Sequence, residues 1–280
     1  MTNVDKVVTL IKDGAPIAGA AVGGAVGFVT GGPGGAALGG ALGAALAHGV
    51  EETAERVLSR REKIRVGAAA SYAIDFVRDR LLAGDLPRED GFFDNFEFGT
   101  SPAAEIFDGV LSKAKGDYEE RKARFYGKFF SNVAFDSSCS RSEANYFLHL
   151  LDRLTYSQLV IVSLFAGSSR FSQLPDHSYE NKNMNPELSQ TLLATFELSQ
   201  LGLVKLWISG RDDVAEALLD LGDIRPRDMR LSLSGKRLHE LAGPGLISER
   251  ELDGLADTFA SSERSSGTTV LTEISKLRNR

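Results

Sequence analysis

Seven glycines, Gly19, Gly23, Gly27, Gly31, Gly35, Gly39 and Gly43, recur at a strict four-residue spacing inside a stretch with no Asp, Glu, Lys or Arg from Gly14 through Val50. Residues four apart share one face of a helix, so the row makes a flat groove that a second helix backbone can approach closely. In water the pattern is costly, because each interior glycine destabilises a helix by about 1 kcal/mol relative to alanine. Close helix packing in lipid is the natural compensation, since unpaired backbone is prohibitive there.

The register is broken by Gly31-Gly32-Pro33-Gly34. Proline cannot continue a helix interior, and the flanking glycines permit a reversal, so Gly32, Pro33 and Gly34 are expected to form a hairpin turn. The reading is two helices, 15–30 and 35–49. Each arm has about 15 residues and spans roughly 23 Å. A full bilayer crossing takes about 20 residues. A partly inserted or oligomeric hairpin therefore fits better than a two-span anchor. Basic residues lie on both sides, Lys6 and Lys12 before the segment and Arg56, Arg60, Arg61, Lys63 and Arg65 after it. Under the positive-inside rule both ends stay cytoplasmic while the turn dips in. A packed soluble hairpin and a glycine/alanine linker are the competing readings.

The rest of the chain reads as mainly α. Residues 1–12 form an amphipathic helix with Val4, Val7, Val8 and Ile11 on one side. Residues 13–50 are the glycine-zipper hairpin, and 51–138 a helical region. In that region a helix opening with Glu51, Glu52 and Glu55 runs to a stop near Gly84, with Pro87 beyond. A second helical pattern over 101–135 carries Ile106, Val110, Leu111, Phe125, Phe129, Phe130 and Val133 on its apolar face. Further helix starts are marked by Ser140 with Glu143, Thr155 with Gln158, Asn185 before Pro186, and Ser248 with Glu251. Strand signal is confined to Leu203–Ile208 and Met229–Leu233. Residues 246–280 are a C-terminal helix and tail.

Residues 139–245 follow a helix–helix–helix–strand–strand–helix order. Their pattern L-x-x-L-G-L-V at Leu198–Val204 and L-S-L-S-G-x-x-L at Leu231–Leu238 resembles winged-helix domains with a small β-wing. The helix corresponding to the DNA-reading element, Pro186–Leu201, contains no Lys or Arg. It lacks the side chains that contact phosphate, and the net charge of −6 points the same way. Nucleic acid is not the expected partner; a protein partner through residues 139–245 is.

The charged stretch Tyr118-Glu119-Glu120-Arg121-Lys122, the segment Phe130-Ser131-Asn132-Val133-Ala134 and the step Leu151 to Leu154-Thr155 are similar in layout to bacterial abortive-infection proteins of the Abi-alpha kind. The similarity covers about residues 115–165. It implies an anti-phage defence setting and no known catalytic residues.

Recognisable catalytic chemistry is lacking in the sequence. Pro175-Asp176 and Glu180-Asn181-Lys182 spell a nuclease-like motif, but the separation is too short to place both carboxylates and the lysine around one metal. His48, His149, His177 and His239 are scattered, so neither a metal nor a cofactor is expected. His48, at the end of the zipper, is positioned to change charge near neutral pH. The lone Cys139 excludes an internal disulfide and fits a reducing compartment. The N-terminus does not read as a secretory signal. These features predict a non-enzymatic, homo-oligomeric, cytoplasmic protein associated with the inner membrane through lipid. The alternative is a cytosolic regulatory or scaffold protein that uses its winged-helix-like region for protein contact.

Overall fold

The structure, a computed structural model, describes residues 2–7, 9–10, 59–95, 99–167, 172–180, 182, 184–207, 220–243 and 245–261. The expected glycine groove (Gly19, Gly23, Gly27, Gly31, Gly35, Gly39, Gly43), the turn at Gly32, Pro33 and Gly34, and Arg56 lie outside the described residues, and Arg60 is described for its backbone alone. What is described is mainly α, as expected, with one small antiparallel sheet.

Helix α1, Arg60–Leu82, starts where Ser59 turns extended (φ −66°, ψ 158°) and its hydroxyl accepts the Glu62 amide. The Glu62 carboxylate accepts the Ser59 amide in return, at 2.7 Å. This reciprocal cap corrects the expected start at Glu51: an extended Ser59 cannot lie inside a helix. At the other end the Gly84 and Asp85 amides return to the carbonyls of Leu81 and Arg80, stopping the helix as expected.

The pattern over 101–135 also divides. Helix α2, Pro102–Gly116, ends at an extended Asp117, a 3-10 turn covers Glu120–Lys122, and α3 runs Ala123–Ala134. The cause is Asp117. Its carboxylate accepts the Glu119 amide at 2.9 Å, the Tyr126 hydroxyl at 2.8 Å and the Lys122 ammonium at 2.6 Å. None of these partners would be reachable from a continuous helix.

Helix α4, Arg141–Arg153, follows the Ser140 cap; α5, Tyr156–Ala166, the Thr155–Gln158 box; α6, Pro186–Gln200, the Asn185 cap with proline in its first turn; and α8, Glu249–Ala260, the Ser248–Glu251 box. Between α6 and α8 lie strands β1, Val204–Leu206, and β2, Met229–Leu231, and helix α7, Leu233–Ala242. Helix α7 begins at Leu233, its first turn capped by the Ser232 hydroxyl, which accepts the Gly235 amide at 3.0 Å.

Two compact units result: Met1–Leu154 with Glu240–Gly243, and Thr155–His239 with Pro244–Arg280. The span expected as one region, 139–245, is divided between them. Helix α4 groups with the first unit because Glu105 of α2 binds Arg141 and Asn145, while Lys113 reaches Asp152 at 2.8 Å.

In the first unit, α1 buries Val66, Ala69, Ala70, Ala73, Ile74 and Val77. Helices α2 and α3 add the apolar residues expected of them, Phe107 and Phe130 meeting at 4.8 Å between ring centroids. Each large side chain so buried contributes about 1.5–3 kcal/mol. Helices α1 and α3 touch backbone to backbone at Gly127, where a Cβ would lie 2.6 Å from the Ala73 amide nitrogen. Any larger residue there would force the helices apart.

In the second unit β1 and β2 pair with Val204 opposite Leu231 and Leu206 opposite Met229, all four buried. Lys205 and Arg230 occupy the other face, as a two-residue alternation requires. Gly235 lets α7 sit against β1; a Cβ there would meet the Leu203 carbonyl oxygen at 2.0 Å. Helix α8 closes the unit, with Phe259 near Phe165 and the Tyr179 hydroxyl donating to the Phe259 carbonyl at 2.7 Å.

Candidate functional site

Described residues flank the expected working element, ending at residue 10 before it and resuming at residue 59 after it. At its N-terminal side, residues 3–7 and 9–10 are helical. Thr2 and Asp5 cap one another: the Thr2 hydroxyl accepts the Asp5 amide at 3.1 Å and the Asp5 carboxylate accepts the Thr2 amide at 2.8 Å. Those bonds from Thr2 hold the Asp5 carboxyl below the usual carboxylate range. Of the expected apolar side, Val7 is fully buried and Val4 half-buried; Val8 and Ile11 lie outside the described residues.

This helix docks on the segment after α1. The Asn3 side-chain amide donates to the Arg88 carbonyl at 3.1 Å, and Lys6 forms an ion pair with Asp94. The seat is held from beneath by Arg88, whose buried guanidinium donates to the Cys139 carbonyl at 2.7 Å and the Val133 carbonyl at 3.3 Å. It also grips Asp90 and lies 4.4 Å above the centre of the Phe92 ring. The hydrogen bonds from Arg88 hold the Asp90 carboxyl below its usual range. Sequence reading missed Arg88, which stands among turn residues and carries no spacing signal.

On the C-terminal side, the expected basic flank is put to mixed use. Arg61 is exposed and Lys63 half-buried. Arg65 donates from two guanidinium nitrogens to the Lys115 carbonyl, at 2.7 and 3.2 Å, and so satisfies the end of α2. Arg65 therefore serves the fold directly. Lys6, the cation before the segment, is tied to Asp94, and Lys12 lies outside the described residues.

In the second unit the outer face of α6 carries Glu187, Gln190, Leu193, Glu197 and Gln200, all exposed and none cationic. Two cations of the same unit are committed: Arg227 to Asp176 at 2.8 Å and to the Leu174 carbonyl, and Arg230 to the Arg227 and Met229 carbonyls. Asp176 of the nuclease-like motif is thus one end of an ion pair. Trp207 is 36% exposed, with Arg230 lying 5.6 Å from its ring centre. His149 lies on α4, His239 on α7 and His177 in the loop before α6, while His48 lies outside the described residues. Among the described residues no group of three metal-ligating side chains comes together, and no helix is long and apolar enough to cross a membrane. No protein family, curated protein or solved structure matches the chain.

Proposed function

We propose that this chain is a membrane-associated, non-enzymatic effector. Its glycine-repeat hairpin, Gly19 to Gly43, enters the lipid surface and self-associates there, and the two folded units are its carrier. One observation supports this above others. Residues 2–10 and α1, on either side of the uncharged segment, belong to the same compact unit. The segment therefore leaves one body and returns to it. A re-entrant hairpin with both flanks in the cytoplasm has this connectivity. The resemblance to abortive-infection proteins adds an anti-phage setting in which damage to the cell's own inner membrane is the output.

The test is fractionation. The intact chain is expected to pellet with membranes and to resist high-salt extraction, and a version lacking residues 14–49 to move to the soluble fraction. An intact chain that stays soluble with and without a stimulus removes the basis for the reading.

A second reading, a cytosolic scaffold built on a winged-helix-like unit, is favoured by the outer face of α6. That face pairs exposed Leu193 with Glu187 and Glu197, a surface suited to protein. Either reading predicts no salt-sensitive binding of duplex DNA by the full chain. A mobility-shift assay at low salt, where phosphate contacts are strongest, is the severe check. Tight binding that weakens steeply as salt rises would overturn it.

A further inference from the structure

We propose that Lys128 is a modification site: its side-chain amine, on the seam between α1 and α3 near Arg80, is a nucleophile that accepts an acyl group from an acyl phosphate. The site lies wholly within the first unit and stands apart from the membrane reading. The placement of the neighbouring charges carries it. Lys128, on α3, is half-buried, and its ammonium lies 4.6 Å from the centre of the Phe76 ring on α1. Such a ring attracts a cation through its face but takes no proton from it. The acids on either side of Phe76 are turned to another cation: Asp75 meets Arg78 at 2.8 Å and Asp79 meets it at 3.1 Å. Asp85 is held by Arg80 at 2.8 Å. Among the described residues no carboxylate pairs with Lys128. Arg80 stands one helical turn beyond Phe76 and lies 4.5 Å from the centre of the Phe135 ring, just past the end of α3. Two cations thus share the seam, each over an aromatic ring.

An amine attacks only once it has lost its proton, and a lysine is activated by removal of water or by a second cation close by. Both conditions hold at Lys128. Burial, and after it the charge of Arg80, hold the amine below the usual lysine range, while Asp79 opposes them more weakly. A larger share of Lys128 than of an ordinary lysine is therefore unprotonated near neutral pH. The donor class follows from the same groups. An acyl phosphate brings an electrophilic carbonyl to the amine and an anionic phosphate toward the Arg80 guanidinium. The neutral amine attacks the carbonyl carbon and a C–N bond forms. The C–O bond to phosphate breaks, its electron pair leaves on phosphate, and the surplus amine proton passes to water. The product is a neutral amide, which ends the repulsion between Lys128 and Arg80.

Mass spectrometry of the full-length chain after brief exposure to acetyl phosphate reads the site, with the pH raised in steps to about 10, where ordinary lysines lose their proton. Lys236, exposed on α7, is the internal reference. Near neutral pH Lys128 is expected to be acetylated several-fold faster than Lys236, and the advantage to shrink as rising pH deprotonates Lys236 as well. Arg80→Gln is expected to slow Lys128 several-fold near neutral pH, and Arg80→Lys, which keeps the charge, to retain most of the wild-type rate. An uncharged N-hydroxysuccinimide ester is expected to favour Lys128 less than acetyl phosphate does. A Lys128 that reacts no faster than Lys236 at neutral pH, or is spared at every pH, overturns the site, and the wild-type profile decides this without any variant. Arg80→Gln with an unchanged circular-dichroism spectrum and an unchanged Lys128 rate overturns the part given to Arg80. A preference from the neutral ester as large as that from acetyl phosphate overturns the donor class.

Discussion

A chain carrying Lys122→Ala is expected to lose about 3–5 kcal/mol of unfolding free energy, the usual cost of removing one partner of a buried ion pair. Lys122 and Asp117 meet at 2.6 Å with side chains only 2% and 8% exposed. Lys122 also donates to the Asp152 carbonyl at 3.1 Å, so its loss leaves both a carboxylate and a backbone acceptor buried without it. The Tyr126 hydroxyl donates to the same Asp117 carboxylate, and burial, followed by that bond, drives its pKa upward and keeps the phenol protonated. It still donates to Asp117 but cannot replace a positive charge. Adding Asp117→Asn to Lys122→Ala removes the stranded charge and is expected to recover part of the loss. Denaturant unfolding followed by circular dichroism measures both variants. For comparison, breaking the more exposed Arg78–Asp75 pair on α1 should cost no more than about 1 kcal/mol. If Lys122→Ala costs as little as that, the network at Asp117 does not hold the first unit together.

Replacing Gly27 and Gly35 with leucine is expected to separate membrane binding from membrane damage. Each leucine adds about 1.5–3 kcal/mol of apolar transfer, so affinity for lipid should hold or rise. The same side chains fill the groove through which helix backbones would approach, so self-association and harm to the cell should be lost. Alanine only partly fills the groove and should act more mildly. Flotation, crosslinking in membranes and growth after induction read the three properties on the same variants. Leucine and alanine variants that keep full activity and the same oligomer would show that the spacing of Gly23, Gly27, Gly35 and Gly39 has no role. The segment would then be an apolar anchor or a linker.

Much of the fold was written locally. The starts at Ser140, Thr155, Asn185 and Ser248 are legible because a cap and the amide it accepts lie within one helical turn. The strands are legible because Val204, Leu206, Met229 and Leu231 alternate with polar neighbours. Misreadings arise where a side chain's purpose is distant. Asp117 looks like a surface acid in a helical run until Lys122 and Tyr126 fold against it. Arg65 reads as a free flanking cation, and its partner, the Lys115 carbonyl, belongs to another helix. Ser59 and Glu62 do form a legible box, but the acidic run at Glu51, Glu52 and Glu55 drew the helix start away from it. Of the candidate site, the sequence carried the glycine spacing, while its attachment to the first unit through Asn3, Lys6 and Val7 depends on tertiary contacts that no local pattern encodes.

Glu240–Gly243 belongs to the first unit although it ends a helix that begins in the second. There the Asn132 side-chain amide donates to the Glu240 carbonyl at 2.9 Å and to the Leu241 carbonyl at 3.1 Å, and Leu241 and Ala242 are buried. The first unit is therefore unfinished when Leu154 has been made. Its last four residues arrive about 90 residues later, a delay of roughly 5–20 s at ordinary rates of chain elongation. During biosynthesis the glycine-repeat segment is consequently attached to an incomplete body until Gly243 has been added.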